Sequence, residues 1–279
     1  MLKQRILTAL VLAPIMIGGI FYLPLAQFKL FIGVIVALGA WEWANLSGLK
    51  LQVGRIAYAG LVAGLICAVE FSSLVQEVDI LYIALGWWIT AFVFVSLHPK
   101  LKNIWSSPVA RLIMGLFILL PMWVGFVQIK SYPFNDYLIM YVMFIVWGAD
   151  VGAYFAGRTF GKRKLAPSVS PGKTWEGVFG GLFVTTLMAL GGGYLLENEA
   201  GLSLDLEQWA LLIVLTLLIT CFSVVGDLIE SMVKRHRGIK DSSHLLPGHG
   251  GVMDRIDSMT AALPLFALAL SVFGWNLVV

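Results

Sequence analysis

Apolar residues run along this chain in long, nearly unbroken stretches. A hydrocarbon core of ~30 Å asks for about 20 consecutive apolar residues in helical form. Nine stretches approach that length, at about 6–24, 28–46, 55–73, 80–97, 109–129, 137–157, 175–196, 209–228 and 258–277. None alternates with a period of two, and backbone groups in lipid must find partners within their own segment, so helices are predicted rather than a barrel. The expected fold is all-α, a polytopic integral membrane protein of nine transmembrane helices. Only Pro24 to Gln27 separate the first two runs, which predicts an antiparallel pair, and Pro14 and Pro121 fall inside runs, where membrane bundles tolerate kinks.

Composition agrees with that pattern. The chain is 59% hydrophobic and 13% charged, with mean hydropathy +0.88; a soluble domain carries about a quarter charged residues. Cys67 and Cys221 lie within apolar runs and are expected to be small buried packing residues, not a disulfide pair. The apolar run after Lys3 and Arg5 is too long for a signal peptide and reads as a retained first span. No long repeat or separate soluble domain is visible. The chain reads as one integrated membrane domain, with five runs in 1–136 and four in 137–279.

Charge gives the expected orientation. With residue 1 in the cytoplasm, the inner connections hold all of the 19 lysines and arginines except Lys29 and Lys130. Such asymmetry is the positive-inside rule, and an error of one span would destroy it. The expectation is an N-terminus inside and a C-terminus outside. The outer connections are short and acidic (Glu70, Glu77, Asp79, Asp136, Glu197, Glu199, Asp205, Glu207), so the chemistry is expected to face the cytoplasm.

Three stretches could carry that chemistry. In the sixth run, Asp150 lies eight residues before Arg158, roughly 12 Å inside the inner boundary; an acid at that depth suggests function, or a lysine partner that fixes packing. Gly148, Ala149, Gly152, Ala153, Ala156 and Gly157 around it allow close helix approach. Next comes Ser170-Pro171-Gly172-Lys173-Thr174 at the entry of the seventh run. Ser170 suits a helix cap and Pro171 a first helical position, so free N–H groups with Lys173 and Thr174 would cradle phosphate. A P-loop is excluded, because Pro167 stands where that motif needs glycine and no strand is predicted before it.

The densest polar stretch is 227–257, between two apolar runs. Asp227, Glu230, Ser231 and Lys234 share one helical face, and Asp254 and Asp257 open the ninth run at the spacing i, i+3. One of those two could be merely a cap. Carboxylates converging from two helices suit a hard cation such as Mg²⁺. Gly250 and Gly251 would let backbone approach a ligand. His236, His244 and His249 have no zinc-ligand spacing. Trp41-Glu42-Trp43, together with Trp87, Trp88, Trp105 and Trp123, reads as an interfacial aromatic belt with a snorkelling acid.

Ser231-x-x-Lys234-Arg235, Lys240-Asp241 and Gly248-His249-Gly250-Gly251-x-x-Asp254-Arg255-x-Asp257 together resemble the signature of the phosphatidate cytidylyltransferases, also called CDP-diacylglycerol synthases. Ser170 to Gly177 and Trp147 to Asp150 resemble that family too, so the likeness covers about 145–260 closely. The resemblance implies that phosphatidate and CTP give CDP-diacylglycerol and pyrophosphate with Mg²⁺ required, Asp227, Asp254 and Asp257 lining the metal centre, a second cation staying open. It implies catalytic roles for Lys234, Lys240 and Asp254. Substrate contacts are expected from Asp150, Ser170, Lys173, Thr174, Ser231, Arg235, Asp241, His249, Gly250, Gly251 and Arg255. The partners implied are CTP, phosphatidate and the bilayer of a bacterial cytoplasmic membrane, with no nucleic acid and with a homodimer left open. The competing readings are a CTP-dependent polyprenol or lipid kinase and a transporter; the polar groups cluster at one face instead of near the midplane, which disfavours the transporter.

Overall fold

The computed structural model describes residues 2–72, 76–199 and 203–273. The predicted run ends at 73 and 274–277, and the side chains of Lys3, Arg5 and Glu199, lie outside the described residues. Apolar runs become helices in chain order: α1 (Leu2–Tyr22), α2 (Leu25–Leu46), α3 (Gln52–Phe71), α4 (Glu77–Ser96), the short α5 (Lys102–Trp105), α6 (Pro108–Lys130) and α7 (Asn135–Phe160). A small antiparallel hairpin comes next, β1 (Lys164–Ala166) and β2 (Ser170–Thr174), then α8 (Trp175–Glu199), α9 (Leu206–Arg237), the short α10 (Met253–Ile256) and α11 (Met259–Phe273). Among the described residues seven helices, α2–α4 and α6–α9, are long and apolar enough to cross a membrane; α1 and α11 supply shorter apolar helices over Ile6–Tyr22 and Met259–Phe273. The protein is an all-α, multi-pass membrane protein. Its outer surface exposes Leu10, Leu30, Phe92, Phe155 and Phe183, the residue types that contact with lipid requires.

Hydrogen bonds sort the connections by end. At one end Lys29 pairs with Glu70 at 2.7 Å and Lys130 with Asp136 at 2.5 Å, so both lysines set apart by charge meet acids. At the other, Asn45 Nδ2 donates to Ser242 O (3.3 Å), His98 Nδ1 meets Ser168 Oγ (3.0 Å) and Arg235 Nε donates to Val169 O (3.3 Å). The connections after α2, α4, α7 and α9 therefore share one polar cap.

Two helix pairs set the frame beneath that cap. α7 and α8 touch through small residues: a Cβ on Gly152 would lie 2.5 Å from Gly180 O, and one on Gly181 2.9 Å from Ala149 O. This is the close approach that the small residues of the sixth run predict. α9 packs on α11 and on the turn that leads into it, where a Cβ on Gly226 would lie 2.5 Å from Asp257 O.

Three expectations need correction. Ser170 does not cap a helix; it opens β2, paired with Ala166, and α8 begins at Trp175. The cap is Thr174, whose Oγ1 accepts from Gly177 N at 3.1 Å, while the Glu176 carboxylate accepts from the backbone N–H groups of Lys162 and Arg163 and closes the hairpin. The aromatic belt is largely a core: Trp43, Trp88, Trp105 and Trp123 are buried, with Trp43 Nε1 donating to Arg111 O (2.6 Å) and Trp123 Nε1 to Lys29 O (3.0 Å). Cys67 and Cys221 are free thiols on the exposed surface rather than buried packing residues.

Candidate active site

α9 has 32 residues, about 48 Å at 1.5 Å per residue, so it outreaches a ~30 Å hydrocarbon core. Its last turns carry the polar face into the cap region. Lys234, Arg235, His236 and Arg237 occupy the final turn, where the helix dipole favours cations. Gly238, at φ +76°, closes the helix in the left-handed conformation that glycine takes without a Cβ penalty.

Two ion pairs organise that face. Lys173, from β2, reaches Asp227 Oδ2 at 2.6 Å, and Ser231 Oγ donates to Asp227 Oδ1 at 3.1 Å. One helical turn further on, Lys234 Nζ bridges Glu230 Oε2 and Asp254 Oδ1, both at 2.6 Å. Glu230 and Asp254 are 1% and 7% exposed, so Lys234 neutralises charge that water hardly reaches.

Asp254 is saturated by protein donors. Its Oδ2 accepts from Ser242 N (2.9 Å), Ser242 Oγ (2.9 Å) and Gly251 N (2.8 Å). Burial opposes its charge, but the Lys234 ammonium and the N–H groups of Gly251 and Ser242 outweigh that and hold its carboxyl below the usual range. Asp257 differs: burial, and then the neighbouring Asp227 carboxylate, push it up to about 7. Asp227 and Asp257 are thus electrostatic neighbours, whereas Asp254 joins the group through Lys234.

Beside Lys173 opens a pocket of about 350 Å³ between α7, α8, α9 and the hairpin. Asp150, Lys173, Thr174, Arg158 and Tyr154 supply its polar lining, and Ala149, Val178 and Val224 are among its apolar walls. Asp150, predicted at depth in the sixth run, faces this space within electrostatic reach of Lys173, Asp227 and Arg255. Apolar walls with a few convergent charged groups are the usual makeup of a ligand site.

The remaining predicted residues fall around this centre. Arg255 donates to His249 O through Nε (3.1 Å) and Nη2 (2.8 Å), and His249 Nδ1 is buried with no partner among the described residues. Arg235 braces the hairpin. Lys240 and Asp241 are exposed where the connection leaves α9. Gly250 and Gly251 make close approaches within the protein: a Cβ on Gly250 would lie 2.5 Å from Asp254 Oδ2, and one on Gly251 would overlap Ser242 Oγ and lie 2.5 Å from Glu42 Oε1. These glycines bring backbone onto two buried carboxylates. Glu42 itself, read from sequence as a snorkelling acid, is 0% exposed. Its one sequence signal was an acid between two tryptophans.

Among the described residues no three Asp, Glu, His or Cys side chains converge closely enough to hold a metal ion by themselves. Mg²⁺ does not need such a cage, since it takes one or two carboxylates and fills its shell with water and phosphate oxygens. Asp227 and Asp257, with the partnerless buried Oε1 of Glu230 nearby, fit that smaller role. Asp227 has one donor on each oxygen, Ser231 and the quarter-exposed Lys173, whereas Asp254 takes four, from Lys234, Ser242 N, Ser242 Oγ and Gly251 N, and fits the protein lattice instead.

A helical membrane bundle with a lysine-bearing pocket of about 350 Å³ defines a class: multi-pass membrane proteins with a site suited to an anionic ligand. Sequence comparison makes this specific, because the Cytidylyltransferase family model matches residues 3–273, and the chain belongs to that family. It is 54% identical over 278 residues to a phosphatidate cytidylyltransferase of Pseudomonas aeruginosa, covering 99% of both chains. It is 40% identical over 284 residues to that of Haemophilus influenzae, covering 96% of this chain and 98% of the other. Against that of Staphylococcus aureus it is 46% identical over 132 residues, 47% of this chain and 48% of the other.

Proposed function

We propose that this protein transfers the cytidylyl group of CTP to phosphatidate, forming CDP-diacylglycerol and pyrophosphate. The observation that carries the reading is the pocket holding Asp150 and Lys173 between α7 and α8, with the Lys173–Asp227 pair at its edge. A lipid phosphate can enter there while its acyl chains stay in the bilayer.

A phosphatidate phosphate oxygen attacks the α-phosphorus of CTP. The bond from that phosphorus to the bridging oxygen breaks, and pyrophosphate leaves with the electron pair. The nucleophile is already anionic near neutral pH, so no strong general base is needed. The barrier lies in bringing two polyanions together, which oriented positive charge lowers. Lys173, about a quarter exposed, can turn from Asp227 to phosphate. Lys234, held by Glu230 and Asp254, and exposed Lys240 would add positive charge toward the pyrophosphate as it leaves. Asp227 and Asp257 would hold Mg²⁺, which supplies neutralisation of the triphosphate.

The basic residues clustered at this end, and the bacterial source of the relatives, support a site facing the cytoplasm from a bacterial cytoplasmic membrane. CTP labelled at the α-phosphate tests the reaction with purified protein and phosphatidate. Label in the lipid, lost with EDTA and regained with Mg²⁺, is expected; label only in soluble CDP would mean a kinase and sink the proposal.

A further inference from the structure

Glu42 lies on α2, in the half of the chain that the signature does not reach, and no water reaches it. Its carboxylate is nonetheless crowded with donors from the connection between α9 and α11. Oε1 accepts from Ser243 Oγ at 2.5 Å and Val252 N at 2.9 Å. Oε2 accepts from Met253 N at 2.7 Å and faces Ser242 Oγ at 3.0 Å. One turn along the same helix, Asn45 Nδ2 donates to Ser242 O at 3.3 Å, and Asn45 O accepts from Arg237 Nε at 3.2 Å. One face of α2 therefore grips both ends of the connection.

The grip reaches the proposed active site through Ser242. Its N–H and hydroxyl both meet Asp254 Oδ2 at 2.9 Å, and the same hydroxyl meets Glu42. A hydroxyl has one proton, so it serves the two carboxylates in turn or shares between them. Gly251 packs into this junction with no room for a Cβ. Asp254 in turn holds Lys234.

We propose that Glu42 is a positioning residue for cytidylyl transfer: it fastens the connection between α9 and α11 to α2 and so presents Asp254 to Lys234. This role rests on the protein being a phosphatidate cytidylyltransferase. A carboxylate is required because each of its oxygens faces one backbone N–H, which cannot turn into an acceptor. In Glu42→Gln one of those N–H groups must face an amide NH₂. The pocket between α7, α8 and α9 contains no α2 residue, so phosphatidate binding is left alone.

The test compares purified wild type and Glu42→Gln in detergent, per mole of monodisperse folded protein, with hydrogen exchange measured on the same samples. Misplacing a reacting group by about 1 Å costs about 100-fold. The expected result is a kcat lower by about 10- to 100-fold, KM for phosphatidate within about twofold, and faster exchange at 242–253. A merely structural role would lower yield or Tm but leave the specific activity of the folded fraction intact; that result, or unchanged exchange at 242–253, would overturn the proposal. If Glu42→Gln does not assemble, Ser243→Ala removes one donor, keeps the carboxylate and carries the same measurements with a smaller drop in kcat. If wild type itself yields no cytidylylated lipid, the functional reading fails, and the exchange measurement still decides whether Glu42 fastens the connection.

Discussion

Lys234 sits between two carboxylates that have almost no other access to a counter-charge, since Glu230 Oε1 already lacks a partner. Removing one member of a buried ion group leaves uncompensated charge, at a cost of about 3–5 kcal/mol. Lys234→Met, similar in volume, should therefore lower the thermal unfolding midpoint in detergent by several degrees as well as abolish lipid labelling; a midpoint equal to wild type would refute the pairing. His98 offers a milder case in the cap. Burial, and then the charge of Lys102, keep its imidazole below the usual range. A base with a lowered folded pKa binds fewer protons folded than unfolded, so stability falls as pH drops through the unfolded value near ~6.5. The midpoint should decline between about pH 7.5 and 5.5, and His98→Gln should flatten part of that slope. Such residues differ in how readable they were. Lys234 and Asp227 announce themselves because i, i+3, i+4 spacing puts polar groups on one helical face inside an apolar chain. Glu42 does not, because its partners Ser242 and Ser243 lie 200 and 201 residues away, and no local pattern encodes a contact of that span.

At the level of elements, the apolar runs located every long helix to within a few residues, apart from the polar end of α9, because a lipid-crossing segment must be apolar over its whole length. The short polar connections were less legible. Ser170-Pro171 has the chemistry of a helix start, yet Glu176 binds the Lys162 and Arg163 amides and folds the segment back as a hairpin, with Thr174 taking over as cap. The glycines of the last connection were legible as points of close backbone approach, while their contacts with Asp254, Ser242 and Glu42 were not. Their surroundings set up two contrasts. Gly251→Ala drives a Cβ against Ser242 and Glu42, whereas Gly172→Ala in β2 meets nothing within 4 Å. Activity should fall at least about tenfold in the first, as the Asp254 lattice is displaced. Stability should shift by no more than about 0.5 kcal/mol in the second. In the membrane, Gly152→Ala pushes into the backbone of α8 at Gly180 and should cost about 1–3 kcal/mol, while Gly191→Ala, facing open space, should be nearly neutral. Thermal unfolding in detergent ranks both pairs; equal effects within a pair would contradict the packing described.

The whole molecule places its polar work at one end of an apolar bundle, and the two lysines outside that end are already matched to acids. The asymmetry has an electrostatic consequence. Polyanionic CTP is soluble and cannot cross lipid, so the proposed reaction requires the basic cap, the Lys173–Asp227 pair and the pocket to open to the compartment that supplies the nucleotide. Basic connections are also the ones retained in the cytoplasm, so both arguments support the one orientation proposed. Cysteine accessibility measures it directly. In a variant with Cys67 and Cys221 replaced by serine, Tyr22→Cys places a thiol at the α1–α2 turn, where Tyr22 is 83% exposed. Lys100→Cys places one in the exposed connection after α4. A membrane-impermeant maleimide should label Tyr22→Cys in intact spheroplasts and Lys100→Cys only after the membrane is opened. The reverse pattern would put the pocket on the side without CTP, and the proposed reaction could not run in the cell whatever the purified enzyme did in detergent.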